Sequence, residues 1–111
     1  MIEIVIKQFL DKHLATPSFL EKPAKPPKRY VLFEKTSGGE RDQISSSTFA
    51  FQSYADSKHQ AALLNERLKR AIENLVKLPE IRGITLNGDY PFPDVSTKQH
   101  RYQAVYEIRY Y

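Results

Sequence analysis

The stretch that most constrains the fold is the last eleven residues, "RYQAVYEIRYY". Tyr102, Ala104, Tyr106, Ile108 and Tyr110 lie on one side of a period-two pattern; Arg101, Gln103, Glu107 and Arg109 lie on the other, with Val105 the exception. That alternation predicts a β-strand with one buried face. A strand so aromatic is expected inside a sheet. The residues before it, Phe92 to His100, are polar and turn-like, opened by Pro93 and Asp94.

The rest of the chain supplies what such a strand needs. Ile2, Val5, Ile6, Phe9, Leu10 and Leu14 follow helical spacing and predict an amphipathic helix over residues 1–15, packed on the sheet and ended at Thr16-Pro17. Residues 16–29 carry Pro17, Pro23, Pro26 and Pro27 and read as a stiff, partly polyproline II connector crossing the surface. Pro23, Pro26 and Lys28 also match PxxPx(K/R), a short pattern that arises often by chance, so the connector is preferred over an SH3 ligand.

"RYVLFEKT" predicts a strand, "SGGERD" a turn in which Gly38-Gly39 supply positive φ, and "QISSSTFAFQSY" the second arm of a hairpin. Ser45, Ser46 and Ser47 put its far end in solvent or against another subunit. A helix follows, with Ser53, Asp56 and Ser57 as candidate caps and Ala61, Leu64, Leu68, Ala71, Ile72, Leu75 and Val76 on its buried face. Glu66–Arg70, Lys69–Glu73 and Glu73–Lys77 are expected as outer-face pairs, and Pro79 closes the helix. "EIRGITLNGDY" is a third strand ended by Asn87-Gly88, joined to the last by about a dozen residues. The expected fold is one α+β domain over residues 1–111 in the order α-β-β-α-β-β. Its four-stranded, mostly antiparallel sheet carries both helices on one face.

Chemistry is sparse. With no cysteine there is no disulfide, thiolate metal site or cysteine nucleophile. No apolar run is long enough to cross a bilayer, and the N-terminus lacks the basic region of a signal peptide, so a cytoplasmic protein is expected. The net charge of +4 is mild and partly gathered in "KPAKPPKR". A dedicated nucleic-acid binder is expected to be denser in charge. Asp56 and His59 have ligand spacing but no visible third ligand. Ser45 to Ser47 do not sit in a nucleophile elbow, and Gly38-Gly39 lack the lysine and helix of a phosphate loop. Asp89 and Asp94 read as turn formers near prolines rather than an acid–base pair. No catalytic residue, metal or cofactor is therefore expected. Seven tyrosines suit a protein–protein surface.

Three segments, "KPPKRYVLFEKTSGGERD", "FAFQSYADSKHQAALL" and "YPFPDVSTKQHRYQAVYEIRY", together resemble the small tail-completion, or tail-terminator, proteins of long-tailed bacteriophages. The most specific parts are the Pro-Lys-Arg lead into an aromatic strand ending at Gly-Gly, and the run Pro93, Asp94, Thr97, Arg101, Tyr102. The polar "ISSSTF" departs from the more hydrophobic second strand common in that family. The resemblance implies a minor virion protein of the neck, assembled in the bacterial cytoplasm. It implies a homo-oligomeric ring, commonly of six, that caps the tail tube, stops its polymerisation and presents a surface to the head connector. DNA passes through such a ring unread. The alternatives are another neck or head-completion protein and a small nucleic-acid-binding module.

On this reading Ser37, Gly38 and Gly39, and the loop residues Pro91, Phe92, Pro93, Asp94 and Thr97 with Arg101 and Tyr102, are the candidate subunit and tail contacts. Pro91 and Pro93 stiffen the loop, and Arg101 anchors it through Asp94. Lys22, Lys25, Lys28 and Arg29 are candidate weak contacts to DNA in the channel.

Overall fold

The computed structural model describes residues 1–111. The first helix, α1, spans Ile2–His13. Its stripe of Ile2, Ile6, Phe9 and Leu10 is buried, as the 3.6-residue spacing requires. The chain then enters a two-residue strand, β1 (Ser18–Phe19), which sequence reading assigned to the connector. Pro17 cannot donate, but its carbonyl accepts the Val31 N–H at 2.9 Å, which seeds a short parallel pairing with the next strand.

The hairpin strands are β2 (Tyr30–Arg41) and β3 (Ile44–Ala55). The turn does not fall at Gly38-Gly39. Both glycines are inside β2, paired with Ser47 and Ser46, and neither has positive φ. The chain reverses instead at Asp42 (φ 53°) and Gln43 (φ 66°). Two consecutive left-handed residues closing Arg41 against Ile44 match a type I′ hairpin. A bulge between Lys35 and Ser37 resets the register, so the strand runs past the glycines to the turn.

Helix α2 (Lys58–Glu73) is capped by Ser57, whose Oγ accepts the Gln60 N–H at 3.1 Å. It tightens into a 3-10 turn over Asn74–Lys77, which turns Val76 outward, 54% exposed, against the expectation of a buried position. Strand β4 (Ile81–Pro91) does not stop at Asn87-Gly88; a second irregularity between Leu86 and Gly88 carries it on. The loop to β5 (His100–Tyr110) is thereby shortened.

The sheet is thus five-stranded and mixed, in the order β1-β2-β3-β5-β4, with β1 parallel to β2 and the other pairs antiparallel. One apolar core joins α1 and α2 to Val31 and Phe33 of β2, Phe49 and Phe51 of β3, and Ala104, Tyr106 and Ile108 of β5. The aromatic alternation of the last strand therefore faces that core. Phe33, Phe49, Phe51 and Tyr106 form a continuous run of ring contacts, with neighbouring centroids 5.3–6.4 Å apart. The serines are not all at a wet tip: Ser47 is buried and its Oγ lies 2.8 Å from the Tyr110 hydroxyl. No helix is long and apolar enough to cross a membrane.

Candidate functional site

The sequence-predicted site residues fall in two places at opposite ends of the sheet. Gly39 pairs with Ser46, whereas Pro91 pairs with Tyr102, which pairs with Ser53. Ser46 and Ser53 are seven residues apart along β3, about 23 Å at a strand's rise per residue.

At one end Arg101 knots the loop. Its Nε donates to the Phe92 carbonyl at 2.7 Å and its Nη1 to the Tyr54 hydroxyl at 2.8 Å. The guanidinium lies 4.3 Å from the Phe92 ring centroid and 5.5 Å from that of Tyr54, so a planar cation stacks on two aromatic faces. Asp94 Oδ2 is 3.9 Å away, the expected partner but not the tightest one. Asp94 instead shapes the loop through Oδ1, which accepts the Ser96 N–H (3.1 Å), the Ser96 hydroxyl (2.7 Å) and the Thr97 N–H (3.4 Å). This is an Asx-turn. Donation from Ser96 and Thr97, with Arg101 beside it, holds the carboxyl down to about 2. Thr97 Oγ1 contacts Gln99 Oε1 at 3.3 Å, and Asp94 and Gln99 form a backbone bridge. The loop is thus ordered from within, yet its tip is apolar and open: Val95 is 88% exposed, Phe92 and Tyr90 about 40%.

Beneath the knot, Tyr54 stacks on Tyr30 at 4.5 Å with the rings nearly parallel. Tyr30 is fully buried, and burial pushes its hydroxyl up to about 12. The basic connector touches the same cluster through Lys22, whose Nζ lies 5.9 Å from the Tyr54 ring centroid. Arg29 is spent on Asp56 (Nε–Oδ1 3.2 Å), while Lys25 and Lys28 are exposed and make no ion pair. With its own backbone N–H and Arg29 both bonded to it, Asp56 is held below the usual carboxylate range, and His59 stands exposed on the next turn.

At the other end Ser37, Gly38 and Gly39 belong to an arm. Every residue of β2 from Glu34 to Arg41 is exposed, and β1 covers the outer edge only at Val31 and Leu32. A shallow groove of about 650 Å³ opens here on the side of the sheet away from the helices, with Gly39, Ser46 and Thr48 in its floor and Arg41, Glu107 and Arg109 around it. Arg109 is tied to Glu107 at 2.7 Å. A Cβ on Gly39 would meet nothing within 4 Å.

Sequence reading missed two features. Asp89 is not in a turn: it lies on β4 under α2, where Asn65 Nδ2 donates to it at 2.6 Å and Lys69 pairs with it. Lys69 also pairs with Glu66 rather than the expected Glu73, and the two carboxylates raise its pKa, Asp89 most. The only signal was Asn65, a polar residue beside the apolar stripe of α2 and 2% exposed. The second is a ladder on the open face, where Gln52 Nε2 donates to Gln103 Oε1 (2.9 Å) and Gln103 Nε2 to the Tyr90 hydroxyl (2.6 Å). No protein-family model matches this chain, and no curated protein matches it.

Proposed function

We propose that this chain is a non-enzymatic structural subunit that assembles with copies of itself into a closed ring, acting as a tail terminator of the type its sequence resembles. The observation that supports this is the arm. Eight consecutive strand residues, Glu34 to Arg41, are ordered without adding to the core, on an edge strand whose outer backbone is largely unpaired. Ordering costs about 1–2 kcal/mol per residue in backbone entropy, and an isolated monomer gains little from it here. A partner surface gives that cost a return.

The second support is that the two candidate surfaces differ and lie at opposite ends. A contact between unlike surfaces is heterologous and repeats until it closes into a ring or runs on as a filament. In this reading the ring sits on the end of the tail tube in the virion neck, and one face meets the tube protein and the other the head connector. DNA passes without base recognition, and Lys25 and Lys28, unpaired and exposed, give the channel weak attraction to phosphate. The test is solution mass by light scattering over a concentration range, with electron micrographs of the same fractions and of isolated tail tubes to which the protein is added. Rings or capped tubes are the expected result. A discrete two-fold dimer that ignores tubes rejects the reading. DNA binding by that dimer, falling steeply with salt, would select the nucleic-acid-binding alternative.

A further inference from the structure

We infer that the ring contact is made by the Phe92–Val95 loop tip of one copy seating in the arm groove over Gly39 of the next. This rests on the proposed self-assembly and specifies which surfaces meet.

The first observation is the glycine. Gly39 has no positive φ, and a Cβ there would stand in open space, so the chain's own fold gives no reason for glycine at this paired strand position. Glycine in a strand interior lowers stability, and it commonly marks where another backbone or a ring approaches closely. Here it lowers the floor of the groove on the helix-free face.

The second is the loop. Phe92 and Val95 are exposed apolar side chains on a segment already held by Arg101 and by the Asp94 turn. Seating it costs little further ordering. An aromatic ring flanked by two prolines packs flat on a glycine floor, and prolines bring no N–H that a partner must satisfy.

The third is charge. Glu40 and Asp42 at the arm tip form no ion pair, and neither do Lys58 and Lys98 beside the loop. With Arg41 between them the arm tip carries two acidic groups against one basic, so it is net acidic and complements the basic loop end of another copy, whereas loop meeting loop sets like charges together. Head-to-tail docking of a second copy satisfies all three observations.

Because the chain has no cysteine, disulfide trapping reads the contact directly. Gly39→Cys and Val95→Cys are made as separate full-length chains, mixed in equal amounts and oxidised. The expected product is the heterodimer in clear excess over both homodimers, and the chain carrying both substitutions gives a ladder. Reversing the arm charges with Glu40→Lys and Asp42→Lys lowers the heterodimer yield about fivefold, and Lys58→Glu with Lys98→Glu in the partner restores it. Homodimers in excess, or no heterodimer, overturn the inference. If wild-type protein still forms rings in that case, the ring reading stands and only this pairing falls. Heterodimers from a protein that forms neither rings nor caps keep the pairing and reject the terminator role.

Discussion

The two ends of this sheet spend their residues in opposite ways. At the loop end the two central charges are bonded inside the chain: Arg101 reaches Phe92, Tyr54 and Asp94, and Asp94 reaches Ser96 and Thr97. At the arm end Glu34 to Arg41 pair only with β3, and the groove beside them is open. Both ends are strand and loop of ordinary composition. The difference teaches that order has two sources here. The loop is ordered by its own bonds, while the arm borrows order from the strand next to it and leaves its own bonds and surface unspent.

The comparison can be broken at several points. The largest effect belongs to the core between the ends. Phe51→Ala removes a fully buried ring in contact with Phe33, Phe49 and Tyr106, and denaturant unfolding is expected to show a loss of about 3–5 kcal/mol. Arg101→Ala comes next, at about 2 kcal/mol, because it removes two charge-assisted hydrogen bonds, strips the Phe92 carbonyl of its partner and leaves the Tyr54 hydroxyl only its long 3.5 Å contact to Gln52. A far smaller loss would show the knot to be decoration. Loss of assembly with an unchanged unfolding midpoint would assign Arg101 to the contact alone.

Gln43→Gly is expected to raise stability by about 0.5–1 kcal/mol, since Asp-Gly is the favoured pair for two left-handed positions and Gln43 sits at φ 66°. Gly39→Ala is expected to raise monomer stability by about 0.5–1 kcal/mol while weakening self-association. Acid separates the ends by a different route. Asp94 is depressed to about 2, so its contribution is complete above its unfolded value near 4 and is lost as pH falls through 2. Amide exchange measured across that window should loosen Ser96 and Thr97 first, while the β2 amides beyond Glu34 that point away from β3 exchange fast throughout.

Much of the fold was legible because periodicity reports burial. The last strand's alternation and α1's stripe both point at the core as read. The single α+β core over the whole chain follows from the same patterns. Where sequence reading failed, the cause was a local signal outweighed by pairing with a distant strand. Gly38-Gly39 is a strong turn signal, yet β3 is held in register by β5 along its whole length, and β2 simply follows it to Asp42. Asn87-Gly88 is a second such signal, absorbed by a bulge opposite Tyr106 and Val105. Strand β1 had no signal at all, being two residues whose partner is set by the Pro17 carbonyl.

The candidate site divides the same way. Residue types determined that the Phe92–Arg101 segment would be a stiff polar loop next to an arginine, because proline and aspartate act through bonds only a few residues away. They also determined that the last strand would be buried on its tyrosine side. The tertiary structure alone decided that Arg101 stacks on Tyr54, that Asp89 belongs to α2 rather than to the loop, and that Gly38-Gly39 lie in a strand, with nothing above Gly39. The first two depend on residues 47 and 24 positions apart meeting, and the third on the register that β5 imposes on β3. Local propensity carries no information about that, because register is set by the sum of all pairings and not by any one stretch.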